Sequence, residues 1–348
     1  METIWFLLVA AMLTAYVVLD GFDIGAGILH LAIARTDAER RLVLRTIGPV
    51  WDGNEVWLIA VGGTLYFAFP LLYASGFSGF YMPLTIVLWL LILRGIGIEF
   101  RGHVDSDVWR GLFDGFFAWS SVLLAVFYGA ALANVLRGVP LQRDQFFFEP
   151  LWTTWQPGPQ PGLLDWYTLV GGLTTLIALA VHGATYIALK TLGPMNARAR
   201  RLAIALWPAL LLGTSASLVA TLTVSPRVLA NFTAHPAALV IPLVVLVALV
   251  AIPVCSRLGR DRDAFVSSAV FLAAMLAGAA VAEFPILLPA SSGSQLDLTI
   301  YNAAAGSHAL RIGLVWWTAG IVLAVAYTVF VYRLFRGKVT EQSTKAER

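Results

Sequence analysis

Four carboxylates interrupt the first two apolar runs of the sequence: Asp20 and Asp23 in VVLDGFDIGAGIL, and Asp52 and Glu55 in GPVWDGNEVWLIAVGG. Such groups take up and release protons or bind cations. An acid at bilayer depth costs roughly 2.5–3.5 kcal/mol on insertion scales, so four of them must be shielded, protonated or used. A path for protons or ions is the chemistry that this placement suggests. Each pair is spaced i, i+3, which puts its members on one helix face. A fifth acid, Glu99, closes a third apolar run in RGIGIEFRG. The purely structural alternative is that Arg94 and Arg101 neutralise these acids and only pin a bundle together. Trp51 and Trp57 flank the acids of the second run and either line the route or pack against it.

The elements that must position these residues are membrane helices. Hydrophobic residues make up 59% of the 348 and charged residues 12%, with a mean hydropathy of +0.80, which excludes a soluble domain. A net charge of +3, with Lys and Arg in short clusters between apolar runs, fits loops against an anionic leaflet and gives no nucleic-acid face. The single cysteine, Cys255, allows neither an internal disulfide nor a thiolate metal site. Glu2 stands where a cleavable signal would be basic, so the first run is expected to remain as a span.

With about 20 residues needed to cross the hydrocarbon core, nine spans are expected, at 3–33, 50–73, 77–100, 113–137, 163–190, 202–223, 236–254, 264–288 and 309–334. This makes residues 1–348 one all-α polytopic membrane domain. Loops 34–49, 101–112, 191–201 and 255–263, with the tail after Val331, hold nearly all the Lys and Arg. By the positive-inside rule the N-terminus is then outside and the C-terminus cytoplasmic. All five acids would converge near the cytoplasmic mouth of one bundle, where a proton intake route would need them.

Gly21 and Gly25, extended by Gly27, form a small-residue spacing that lets another backbone approach the acid-bearing helix; Gly62 and Gly63 are read the same way for the second span. Of five histidines, His30, His103, His235 and His308 fall at span ends or in loops, and only His182 lies well inside a span. Bis-histidine haem ligation needs two facing buried imidazoles, so no haem is expected on this chain, and His182 reads as a hydrogen-bonded interior residue. The connection 138–162, with WTTWQPGPQPG, has too many prolines for regular structure and reads as an irregular outer cap.

The succession LDGFDIGAGIL, GPVWDGNEVWLI, FAFPLLYASGFSGFY, RGIGIEFR, ANVLRGVPL, HGATYIALKT, LTIYNAAAGSHALRIG and YTVFVYRLFRGKV resembles subunit II of the cytochrome bd-type quinol oxidases and of the similar cyanide-insensitive oxidases. The motifs keep their order from residue 19 to residue 339. The resemblance implies two four-helix bundles plus a ninth, peripheral helix. It implies a haem-free chain in a bacterial cytoplasmic (inner) membrane, paired with a homologous subunit I that carries haems b and d and the quinol site. A small single-helix subunit commonly joins them. Some members hold a quinone in subunit II as a lipid-like structural element. The family takes electrons from quinol, reduces dioxygen to water and builds proton-motive force without pumping, the protons for water entering from the cytoplasm. Proton supply carries over to Asp52 from the WDG motif, and to Asp20 and Asp23 from DGFD. The competing reading, a proton- or cation-coupled secondary transporter, would call for two similar halves with broken helices at mid-membrane, whereas the acids here are confined to the first three spans.

Overall fold

The computed structural model describes residues 1–339; the end of the basic tail, 340–348, lies outside the described residues. Along the chain run α1 (Glu2–Ile33), α2 (Asp37–Ile47), α3 (Trp51–Ala68), α4 (Pro70–Gly79), α5 (Tyr81–Glu99), α6 (Asp107–Arg137), α7 (Trp166–Lys190), α8 (Gly193–Val224), α9 (Arg227–Ala234), α10 (Val240–Arg257) and α11 (Asp261–Glu283). A two-stranded antiparallel ribbon follows, β1 (Ile286–Leu288) and β2 (Leu298–Thr299), and then α12 (Ser307–Leu334). Eight helices are long and apolar enough to cross a bilayer, and the 18-residue α3, which carries Asp52 and Glu55, makes the ninth long one.

Local sequence explains several boundaries. The Thr36 hydroxyl accepts from the Glu39 amide at 3.3 Å while the Glu39 carboxylate accepts from the Arg35 amide at 2.7 Å, so both side chains satisfy donors at the start of α2. Asp165 and Thr168 close a reciprocal capping box at the start of α7. Two expected spans prove too long. The second ends at Ala68 instead of 73 because Pro70 forces Phe69 out of helical geometry (φ −133°, ψ 64°), and α4 begins afresh from that proline. The eighth ends at Glu283 instead of 288 because Phe284 precedes Pro285 and is extended, which sends the chain into β1.

Helices α1, α3, α5 and α6 form one bundle and α7, α8, α10 and α11 the other, with α1 and α6 packed on α7 across the seam. Of α12 only Leu310 is buried among the described residues, so this helix is peripheral. The seam rests on glycine. A Cβ on Gly25 would lie 2.7 Å from the Gly183 nitrogen and Cα of α7, and within the first bundle one on Gly27 would lie 2.6 Å from Ser121 Cβ of α6. Gly25→Ala is therefore expected to force α1 and α7 apart at a cost of about 1–3 kcal/mol, read as a lower thermal midpoint of the purified complex; an unchanged midpoint would refute the close approach. Gly62 and Gly63 differ from expectation: no atom lies within 4 Å of a Cβ built on either, so they seat no helix among the described residues.

At the end of the molecule opposite the acids, the connection between α6 and α7 is irregular, as its prolines require, and packs on the β-ribbon through Val139, Leu141, Phe147, Leu288 and Leu298.

Candidate functional site

The acids of α1 lie within the first bundle rather than on its rim. Asp20 and Asp23 are both wholly buried, as is Arg94 of α5. Arg94 donates twice to Asp20, Nη1 to Oδ2 at 2.9 Å and Nη2 to Oδ1 at 2.5 Å, and its Nη2 also reaches Glu55 Oε2 of α3 at 3.2 Å. This two-point geometry is the strong form of a carboxylate–guanidinium pair. The backbone around Arg94 permits it, since a Cβ on Gly97 would lie 2.7 Å from the Phe117 nitrogen, so α5 and α6 run in contact there.

Asp23 is held differently. Its Oδ2 accepts from Asn54 Nδ2 at 2.7 Å, while Oδ1 has no hydrogen-bond partner among the described residues. Asn54 also donates to the Leu19 carbonyl at 3.2 Å, and its Oδ1 accepts from the Tyr332 hydroxyl of α12 at 2.8 Å. Asp52 and Glu99 are exposed, and Glu55 and Trp51 are half-buried. Trp51 Nε1 donates to Glu99 Oε1 at 3.2 Å. A cleft of about 450 Å³ opens beside them, lined by Trp51, Asp52, Asn54, Glu99 and Tyr332. Solvent thus reaches Asp52 and Glu99 directly, Glu55 forms the middle of the series, and Asp20 and Asp23 form its buried end. Trp57 is half-buried.

Two sequence expectations change. Asp52 and Glu55 do not act as one face: about 60° apart on the helix, Asp52 faces the cleft and Glu55 turns in to Arg94. Arg101 does not neutralise the five acids. It donates to Asp114 of α6, Nε to Oδ1 at 2.5 Å, and to Asp37 of α2, Nη2 to Oδ1 at 2.7 Å. His30 does lie in the last turn of α1, as its place at a span end led one to expect, and it is wholly buried there, with Nε2 2.6 Å from Asp114 Oδ1. Arg40 Nη1 completes the set on Asp114 Oδ2 at 3.0 Å. This second cluster ties α1, α2, α6 and the turn after α5 together at the acid-bearing end.

Around the acids, Asn54, Tyr332 and Asp114 are polar residues that sequence reasoning missed, and it did not foresee that His30 would join Asp114. Asp114 carried a signal, an acid two residues inside the expected fourth span. Asn54 and Tyr332 carried none, being neutral and separated by most of the chain. His182 is hydrogen-bonded in the interior, Nδ1 to Ser268 Oγ at 2.7 Å and Nε2 to the Val18 carbonyl at 3.0 Å. His30 is engaged through Nε2 alone, and its Nδ1 has no hydrogen-bond partner among the described residues.

A third polar cluster lies at the opposite end. Arg137 at the end of α6 pairs with both Glu149 and Asp165 and donates to Asn134 Oδ1 at 2.5 Å. Burial pushes the Glu149 carboxyl up to about 7 from an ordinary 4.5; Arg137 opposes this and Asp165 adds to it. The folded state therefore binds this proton more tightly than the unfolded chain. Its stabilisation is complete below pH 4.5 and is lost as pH rises to about 7, on the order of 3 kcal/mol. Amides of the 138–165 connection are accordingly expected to exchange faster at pH 8 than at pH 5 after correction for intrinsic rates, and Glu149→Gln should remove most of that difference. Equal protection in wild type at both pH values would refute it.

The fold and these clusters define a polytopic helical membrane protein with a guanidinium-braced line of acids leading from one surface into a bundle. The family model described as "Cytochrome bd terminal oxidase subunit II" matches residues 1–335, and the chain belongs to that family. It is 33% identical over 362 residues to the probable cytochrome oxidase subunit 2 of Haemophilus influenzae, covering 97% of this chain and 94% of the relative. It is 30% identical over 367 residues to the cytochrome bd-I ubiquinol oxidase subunit 2 of Escherichia coli K12, covering 97% and 95%. Against the cytochrome bd ubiquinol oxidase subunit 2 of Bacillus subtilis the identity is 29% over 344 residues, covering 98% of each. In fold it is similar to a chain of the bd oxidase from Geobacillus thermodenitrificans, with a TM-score of 0.75 at 18% identity over 96% of this chain and 98% of that one.

Proposed function

We propose that the chain is the haem-free subunit II of a quinol oxidase in a bacterial inner membrane, and that its acids deliver protons from the cytoplasm for the reduction of oxygen to water. Its partners in this reading are a subunit I carrying haems b and d and the quinol site, and a small single-helix subunit. The haems supply the redox chemistry. Protons drawn from the cytoplasm, with quinol protons released outside, build proton-motive force without pumping. Support comes from the family, from relatives that are ubiquinol oxidase subunits, and from basic loops at the acid-bearing end, which favour a topology with the N-terminus outside and the C-terminus in the cytoplasm.

The observation that carries the proton role is the gradient of burial along one series of carboxyls, from exposed Asp52 and Glu99 through half-buried Glu55 to wholly buried Asp20 and Asp23. Asp52 and Glu99 collect protons at the cleft. Glu55 takes them inward. Asp20, braced on two points by Arg94, anchors the buried end of the series. Asp23 has no ion pair among the described residues, and one oxygen is free to receive a proton. Asn54 holds its other oxygen, and Tyr332 holds Asn54.

The reading is tested first on the purified complex, which should show a haem spectrum and quinol-driven oxygen uptake; a complex with neither would overturn it. Within it, Asp52→Asn keeps shape but removes the titratable proton. Because Asp52 is exposed, the variant should assemble normally and consume oxygen several-fold more slowly. An assembled variant running at the normal rate would remove Asp52 from the path.

A further inference from the structure

Beside the acid-lined cleft lies a second one of about 500 Å³, between α2 and the turn that joins α5 to α6, and its chemistry is opposite. Four arginines line it, Arg41, Arg45, Arg101 and Arg110, with Leu44 and Val104 supplying apolar wall. Only two acids share the lining, Glu99 and Asp105. Arg41, Arg101 and Arg110 are each held by acids. Arg101 is 3% exposed, with its Nε held by Asp114 and its Nη2 by Asp37. Arg110 Nη1 and Nη2 are held by Asp105 and Asp107, each at 2.6 Å. Arg41 Nη2 is paired with Asp37 at 2.7 Å, one turn back on α2.

The surroundings are those of a membrane surface. The cleft sits where α5 ends and α6 begins, and next to it Phe100 and Val108 are exposed, 45% and 84%. Acyl chains would meet those side chains, and headgroup phosphates would stand at the level of the arginines. A guanidinium fork matches two phosphate oxygens at once, and basic pockets between transmembrane helices recognise anionic headgroups in the same way. An ammonium-bearing headgroup would bring a like charge into the same space.

We propose that this cleft binds the phosphate of an anionic phospholipid from the leaflet around the acid-bearing end. The proposal is independent of the proton role and goes beyond it. The test uses the whole complex, reconstituted in nanodiscs of phosphatidylethanolamine with a minority of phosphatidylglycerol and then extracted in mild detergent, with retained lipid quantified by mass spectrometry. Wild type should retain phosphatidylglycerol well above its share of the bilayer. Arg41→Gln with Arg45→Gln, which removes two charge-assisted contacts, should lower that enrichment at least roughly tenfold. Arg41→Lys with Arg45→Lys, which keeps charge but loses the fork, should fall between, and decides the matter if the glutamine variant does not assemble. Wild type without enrichment, or variants that retain as much as wild type, would overturn the proposal. Washing with inorganic phosphate separates the two sources of this chemistry. If phosphate strips the lipid only in large excess, the lipid is the ligand; if it strips it stoichiometrically, the site is one for free phosphate and the lipid assignment fails.

Discussion

An Arg94→Gln complex is expected to lose most of its assembled form. Arg94 is wholly buried and is the only basic side chain bonded to Asp20 and Glu55 among the described residues. Removing one partner of a buried pair leaves an uncompensated charge and costs about 3–5 kcal/mol, a large part of the roughly 5–15 kcal/mol that holds a typical domain together. Lipid around the bundle offers no water to relieve it. The double variant Arg94→Gln with Asp20→Asn should recover much of the loss, because no isolated charge remains and the two amides can bond to each other. The measurement is the yield of complex in mild detergent together with its thermal midpoint. An Arg94→Gln complex melting with wild type, or a double variant no better than the single one, would show that the pair does not carry this load.

The sequence reads well where one residue decides the outcome and poorly where two distant ones must agree. Buried Asp20 and Asp23 were legible because an acid inside an apolar run is anomalous wherever it points. Arg94 was legible as their neutraliser by the same argument. Arg101 looked equivalent, but its guanidinium turns to Asp114 and Asp37. The direction depends on how α5 is rotated against α6, which the close approach at Gly97 sets and no hydropathy pattern reveals. Pro70 and Pro285 were visible, yet averaging hydropathy over a span hides a backbone break inside it; only the restriction on the residue before each proline marks the true ends. The glycines divide in the same way. Gly25 meets Gly183 and owes its size to a partner 158 positions away, whereas Gly62 and Gly63, identical on paper, meet nothing among the described residues. Tyr332 was out of reach altogether. A hydroxyl on the last helix gains meaning only once α12 is seen to lay it against Asn54.

That arrangement moves the weight of the proposed proton path from Asp52, where the WDG motif draws attention, to Asp23. Asp52 stands in open solvent, and water or Glu99 can replace much of what it does. Asp23 stands at the buried end, where among the described residues no second carboxyl has an unbonded oxygen: Asp20 has both of its oxygens committed to Arg94, and Asp23 Oδ1 is open. Asp23→Asn is nearly isosteric and keeps an acceptor for Asn54, so the complex should assemble with its thermal midpoint unchanged or raised. Its oxygen uptake should fall by on the order of 100-fold, the scale on which a positioned proton donor contributes. The slow step should then be proton transfer, visible as a larger solvent deuterium isotope effect than in wild type. Asp20→Asn provides the contrast: it leaves the Arg94 charge short of its main partner, and its first effect should be on stability instead of rate. If Asp23 serves only to pack α1 against α3, its asparagine variant will turn over at the wild-type rate with a wild-type isotope effect, and the buried end of the series will carry no protons.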